Sequence, residues 1–586
     1  MAKNFLFNPR TYTGEGVDAK TAEIMKSTIA RMEHHGLREM KMDDVMNRYC
    51  EYFVKHEKDI GAFAHMLTPK GYGPDPENAM FDLRRITEYN EMLSFYNLAA
   101  RYIFQVSILG LGPIWMSDNE HIKTKAAQDL IDGRVFGFGC SEKEHGADLY
   151  ANEMCITETV DGRLRTDGEK YYIGNSDRGL ISTFARFKDK DGNWGDWAWV
   201  QADPRDIHYN DRKHIKASYL HTGYVGEYLL VDYPTDEKNL ITRGQKAWDD
   251  ALATVNIGKF QVGVSPIGVA THAFYECLHH SYNRWLYGHR VTDMPHVRKM
   301  IVEAYLRTVG MRLFAFRAID YFKSSSATDR RYLLFNPVSK MKAALEGVTA
   351  VYQLFDAVTA RGFECETYME QATRDIQSSP RLEGTAHVNL ALILKFIDGY
   401  FFHHEDYPEI PKLGPSDDAC IFHQTYGRMS DVTFADYRKV LNTCELPNVK
   451  AFAKQVEALR AIFEKYPIPP KERTNRNNMD YMLNLGHMFT MVPYAQLILE
   501  AAKLYDIEDE IVNQLFAFYV TDMAAYAAKQ LSGQDNGEGR DALLLEVIGT
   551  KPVHDKDEYD RIWSETVEPL TDAYIINDDT RYSTAW

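Results

Sequence analysis

The stretch EMCITETVDGRLRTDGEKYYIGN, residues 153–175, decides the fold class. Side chains alternate with a period of two on both sides of Asp161-Gly162. That pair tolerates the positive φ of a tight turn, so the stretch predicts a β-hairpin with a two-residue turn. Working outward, VFGFGCS before it alternates in the same way. After it, ISTFARF, the turn KDKDGNWGD, WAWVQAD and EYLLVDYP repeat the pattern. A β module of about 100 residues therefore sits inside a chain that is helical on both sides.

Before residue 130, apolar residues such as Ile24, Ile29, Met32 and Leu37 recur at helical intervals. Phe95 to Met116 is the most apolar long stretch. It contains Asn97, Arg101, Gln105 and glycines, and this reads as a buried helix with no membrane span. Gly110–Pro113 (GLGP) is expected to break it. Ser117 is expected to cap the next helix, with Glu120 as its capping-box partner. From about residue 245 the helical period returns, over Trp248–Tyr287, Met294–Phe322, Val338–Arg361 and a segment starting near Ala386. Long helices in that order suggest a bundle. YPIPPKER, residues 466–473, reads as a linker. The expected class is α+β, mostly α. It comprises an N-terminal helical domain (1–130), a middle β-barrel-like domain (131–240), a four-helix bundle (241–405) and an extra C-terminal helical domain (406–586).

The chain has 586 residues and a net charge of −17. Residues 481–586 carry −12 of that, with 7 Lys/Arg against 19 Asp/Glu. Such a surface repels phosphate backbones and anionic lipid, so no nucleic-acid partner is expected. Seven widely spaced cysteines without CxxC suggest reduced thiols and a cytoplasmic protein. The histidine doublets 34–35, 279–280 and 403–404 project adjacent side chains in different directions. That is poor chelating geometry, and no metal is expected.

Three segments could carry chemistry. Phe138 to Asp148 leaves a strand through small residues and a hydroxyl, which exposes backbone donors. Gly168 to Asn175 places an aromatic pair at a strand end. Arg374-Asp375, followed by Glu383-Gly384-Thr385, sets a carboxylate at a helix start, where a general base could sit. Read alone, each is an ordinary turn or cap.

Taken in order, these segments resemble the acyl-CoA dehydrogenase superfamily of flavoproteins. SEKEHGAD is similar to the family's [ST]-E-P-x-x-G-S-D, and DGEKYYIGN to NGxKxWITN. NRWLYGHRVTDMP is similar to ER-x-x-FG-x-P. RGFECETYMEQATRDIQSSPRLEGT is similar to GGxGF…RDA…IYEGT, with its spacing intact. The acidic extension resembles the larger members, such as very-long-chain dehydrogenases, acyl-CoA oxidases and the AidB group.

The resemblance implies FAD held between the β domain and the bundle. Phe138, Cys140 and Ser141 would line the flavin, and Tyr172, Ile173 and Gly174 would sit beside its ring system. Arg284 would bind the FAD phosphates across a subunit interface, and Thr385 would cap the dinucleotide end. Glu383 would be the base, with Ala147, Lys259 and Gly384 on the acyl-CoA side. The implied reaction is dehydrogenation of an acyl-CoA to a trans-2-enoyl-CoA by a homodimer, with an electron-transfer flavoprotein as acceptor. An oxidase or flavin monooxygenase on the same fold, and an AidB-like protective flavoprotein, are the alternatives. Four departures stand out. Ala147 replaces the serine of G-S-D, Gly174 the threonine of W-I-T, Lys259 the usual arginine before the bundle's glycine-rich turn, and Thr359-Ala360-Arg361 the glycines before Gly362-Phe363.

Overall fold

The computed structural model describes residues 4–424 and 427–575. They form two compact units. The first comprises residues 11–261 and 414–424, and the second 4–10, 262–413 and 427–575.

In the first unit, helices Ala19–Val45, Glu51–Asp59, Ala62–Leu67, Leu83–Tyr96, Leu98–Met116 and Glu120–Ile131 precede an eight-stranded sheet. Its strands are β1 (Phe136–Gly139), β2 (Cys155–Glu158), β3 (Leu164–Gly174), β4 (Leu180–Lys188), β5 (Trp194–Ala202), β6 (Tyr209–His214), β7 (Val225–Thr235) and β8 (Leu240–Arg243). The order is β6-β7-β3-β2-β4-β5-β8, with β1 added in parallel to β4. Inward-facing Ile156, Ile173, Ile181, Val200, Tyr228 and Leu230 form its core. The period-two pattern of the sequence is this alternation between core and outer face.

The predicted hairpin is β2–β3, antiparallel, with Glu158 opposite Leu164. Its turn differs from the expectation. The Thr159 N–H donates to the Arg163 carbonyl at 2.8 Å, leaving three residues, Val160 to Gly162, in the loop. Gly162 takes the positive φ, +81°.

The expected break at Gly110–Pro113 does not occur. Helix Leu98–Met116 runs through it, with every residue buried. The glycines serve close approach instead. A Cβ on Gly110 would come 2.6 Å from the Gly137 carbonyl oxygen in β1, and one on Gly112 would come 2.6 Å from Thr254 Oγ1. By length and hydropathy this helix could cross a membrane; here protein covers it completely. Ser117 does not cap the following helix either. It ends the preceding one and donates to the Ile241 carbonyl at 2.6 Å, while Asn119 caps Glu120–Ile131 by accepting from Ile122 N–H.

The helix Gln245–Asn283 begins in the first unit and continues into the second. There, Pro295–Lys323 packs against Ala344–Val358, and Met479–Leu504 and Asp509–Gly533 of the C-terminal extension join the same bundle. A buried charge cluster ties them together. Arg307 bonds Glu303 and Glu346 at 2.7 Å each and Asp522 at 2.8 Å. The proline-rich stretch 466–473 is a fastened turn and not a free linker. Buried Arg473 donates to the Ile468 carbonyl at 2.7 Å and pairs with Asp398 at 2.9 Å.

Candidate active site

In the first unit the sequence-predicted loop residues come together, whereas in the second unit Arg284 and the Glu383 turn are two separate places. In the first unit the loops after β1 and at the end of β3 meet. Gly137 lies so close to β3 that a Cβ would come 2.7 Å from the Gly174 carbonyl oxygen. The Tyr171 N–H donates to the Ser141 carbonyl at 3.0 Å. Phe138, Cys140 and Ser141 therefore sit beside Tyr172, Ile173 and Gly174.

The two motifs are locked together by an ion pair within them. Lys170, fully buried, donates from Nζ to Glu142 at 2.9 Å and to the Cys140 carbonyl at 3.2 Å. Glu142 also accepts from Asn152 Nδ2 at 2.6 Å and from the N–H groups of Glu153 and Met154. Every oxygen of a buried carboxylate is thus matched by donors, as burial demands. Glu142, His145 and Glu153 lie near enough together to suggest a metal site, but these bonds already occupy the Glu142 carboxylate. Desolvation pushes the Cys140 thiol up to about 12, so it stays protonated.

Tyr172 is the strained member. A bulge in the β3–β7 register falls on it, its φ is +64°, and its side chain is 60% exposed. Such a φ is a genuine outlier for a bulky residue. A bulge re-aims a side chain off the sheet, and here it presents the phenol outward. The Ile173 side chain points the other way, into the sheet core, so only its backbone faces the loop. Gly174 abuts Tyr102. A Cβ there would come 2.8 Å from the phenol oxygen and 2.9 Å from a ring carbon. Ala147 is exposed on the loop, and Lys259 is half-buried on Gln245–Asn283.

In the second unit, Arg284 at the end of Gln245–Asn283 donates from Nη1 to Thr359 Oγ1 at 3.2 Å. Thr359 has φ +66°, the conformation of a glycine, so the threonine departure keeps the shape of the turn at a cost in strain. Beside it, His280 is buried, and its Nε2 finds no hydrogen-bond partner among the described residues. Desolvation, helped by Arg284 and Arg361, lowers it to about 4.

Glu383 sits in a cinched turn before helix Ala386–Ile393. The N–H groups of Arg381 and Leu382 both donate to the Ser378 carbonyl, and the Ala386 N–H reaches back to the Pro380 carbonyl at 2.9 Å. Between them Glu383 has φ +53° and Gly384 φ +87°. A left-handed glutamate costs roughly 1–2 kcal/mol. Thr385 caps the helix by accepting from Val388 N–H, and Asn389 Nδ2 donates to the carbonyls of Gly384 and Thr385. The result is a half-buried carboxylate on a fastened turn at a helix N-terminus. Sequence reasoning did not assign Lys170, Glu142, Tyr102 or His280. The first two lie inside the quoted motifs, so the signal was present; the contacts of Tyr102 and His280 are tertiary.

Helices, then a sheet, then a helical bundle make the acyl-CoA dehydrogenase fold. Residues 246–397 match the family "Acyl-CoA dehydrogenase, C-terminal domain". A short-chain specific acyl-CoA dehydrogenase of Megasphaera elsdenii is 24% identical over 307 residues, 51% of this chain and 78% of that protein. The caffeyl-CoA reductase-Etf complex subunit CarC of Acetobacterium woodii is 20% identical over 395 residues, 64% of this chain and 94% of its own. A Bacillus anthracis acyl-CoA dehydrogenase solved with FAD superposes with a TM-score of 0.71. It covers 96% of this chain and 97% of its own at 14% identity, so the likeness includes the C-terminal extension. The resemblance to the larger acyl-CoA dehydrogenases stands.

Proposed function

We propose that the protein is an FAD-dependent acyl-CoA dehydrogenase that converts an acyl-CoA thioester to the trans-2-enoyl-CoA. The single observation that carries this is the Glu383 turn, a carboxylate held at positive φ within the segment that matches the family's C-terminal domain. Strain of that kind is kept where a side chain must be aimed.

The loop cluster of the first unit fits a flavin. The loop through Phe138, Cys140 and Ser141 is fixed from behind by Lys170 and Glu142, and Tyr172 stands clear of the sheet, as a ring-flanking residue must. Backbone groups of Ile173 and Gly174 complete that edge. In the second unit, Arg284 is assigned to the phosphate oxygens of a second subunit's FAD, and Thr385, at a separate helix N-terminus, to the dinucleotide end. FAD, when bound, supplies the hydride acceptor.

The remaining chemistry belongs to the chain. Glu383 takes the α-proton, and the turn holds its carboxylate where a thioester α-carbon can approach. Gly384 lets the chain pass close to the acyl group, and Ala147 and Lys259 are assigned to the CoA side. Assigning Arg284 to a second subunit's cofactor entails a homodimer, which light scattering of the loaded protein checks. The relative from an Etf complex supports an electron-transfer flavoprotein as acceptor. Seven free cysteines support a reducing, cytoplasmic setting.

Glu383→Gln keeps shape and volume but removes the basic oxygen. The variant is expected to retain FAD and bind acyl-CoA, yet reduce its flavin at least about a hundredfold more slowly in anaerobic stopped flow. Reduction at the wild-type rate would make Glu383 an ordinary helix-terminal carboxylate. Oxygen consumption in place of dye reduction would favour the oxidase alternative.

A further inference from the structure

We infer that Lys340 is the positioning residue that holds the Glu383 turn in its working shape; the inference rests on Glu383 being the base proposed above. Lys340 lies in a single π-turn, Ser339–Ala343, between helices Tyr332–Val338 and Ala344–Val358. Such turns interrupt an α-helix by one inserted residue and re-aim the side chains on it. Here the residue re-aimed is a lysine with no exposed surface, and its Nζ donates to the Ser379 carbonyl.

Ser379 is four residues before Glu383. It stands in the same knot of bonds: Ser378 accepts from Arg381 and Leu382, and Pro380 accepts from Ala386. The knot is also anchored from the neighbouring helix. Ser265 Oγ lies 3.3 Å from Ser379 Oγ. Gly263 lets that helix come so near that a Cβ would be 2.7 Å from the Ser339 backbone, and Gly347 packs against Pro266 in the same manner. The π-turn is therefore fixed in place, and its lysine is directed at the root of the turn that carries the carboxylate.

A buried ammonium loses its hydration, so its bonds must replace it, and a charged donor makes a stronger bond than a neutral one. The backbone at Glu383 is one that glutamate does not adopt unaided. With the Ser379 carbonyl held, the chain has only four residues in which to reach position 383 and must turn left-handed to return to Pro380. Released, it can relax to an ordinary conformation, and the carboxylate moves away from where it points. A base displaced by about 1 Å can lose on the order of a hundredfold in rate.

The test uses full-length, FAD-loaded protein carrying Lys340→Met or Lys340→Arg, with Glu383→Gln alongside. Amide hydrogen exchange is read at residues 381–386, and flavin reduction is followed with butyryl-CoA and palmitoyl-CoA as probes. Lys340→Met is expected to speed exchange in 381–386 at least about tenfold while helix Pro295–Lys323 keeps its protection. It is expected to slow flavin reduction by on the order of ten- to a hundredfold with KM little changed, and Lys340→Arg to recover part of both. Unchanged exchange in 381–386, or a rise of equal size in Pro295–Lys323, overturns the inference, as does a wild-type rate of reduction in a loaded Lys340→Met protein whose Glu383→Gln counterpart is slow. Should Lys340→Met not fold, Lys340→Arg carries the same exchange comparison. A wild-type rate in Glu383→Gln refutes the base itself, and the exchange measurement then still decides whether Lys340 holds the turn.

Discussion

Gly174 has no side chain because Tyr102 occupies the space one would need. This gives the departure from W-I-T a steric cause. A threonine there would drive into the phenol ring at under 3 Å, so the Tyr102 side chain would have to shift. Gly174→Thr is expected to destabilise the protein by roughly 1–3 kcal/mol and to lower FAD content. Tyr102→Ala in the same chain should restore part of both. The measurements are thermal unfolding and the flavin-to-protein absorbance ratio. A Gly174→Thr protein as stable and as yellow as the wild type would refute the steric account.

Two motifs separated by some thirty residues become one structure through the Lys170–Glu142 pair. Strand β3 delivers the lysine from beneath the loop after β1. Because Lys170 is fully buried, removing it leaves the Glu142 carboxylate unpaired in the interior. Lys170→Met is expected to cost about 3–5 kcal/mol, well above the value of a surface pair. The double variant Lys170→Met with Glu142→Gln should cost less than the sum of the single changes, read by denaturant unfolding. Additive losses would show that the pair is not coupled. The same logic covers Thr359: the sequence shows a threonine where glycines are usual, and the fold accepts it at φ +66° with its hydroxyl bonded by Arg284.

At the level of the whole molecule, buried titratable groups oppose one another. His280 and His487 are lowered by desolvation from 6.5 to about 4. Between those values the unfolded chain binds more protons, so each histidine makes stability fall as pH drops from 6.5 to 4. Glu57, raised by desolvation to about 7, and Asp250, raised likewise to about 6, act with the opposite sign, because there the folded state binds more protons as pH falls. These contributions partly offset one another, and single variants expose each of them. Relative to His280→Gln, the wild type should lose about 1.4 kcal/mol per pH unit between pH 6.5 and 4. Relative to Asp250→Asn it should gain by a similar amount between pH 6 and 4. Chemical denaturation at a series of pH values measures both differences, and parallel curves would refute the assigned shifts.

The sequence by itself determined the alternation of helix, sheet and helix, the β2–β3 hairpin and the spacing from Arg374-Asp375 to Glu383, because period and turn chemistry are local. It also carried the resemblance, since the motifs are contiguous. Only the tertiary structure decided the rest. GLGP continues a helix because its glycines admit β1 and Thr254, which no local propensity can register. The proline-rich stretch is fastened because Arg473 finds Asp398 at 2.9 Å, a partner 75 residues earlier in the chain. The Ile173 side chain turns into the core and leaves its backbone towards the loop, because strand alternation next to a bulge fixes which face each side chain takes. Lys340 was silent for the same reason. Its bond to Ser379 crosses 39 residues, and only the packed bundle brings the two together.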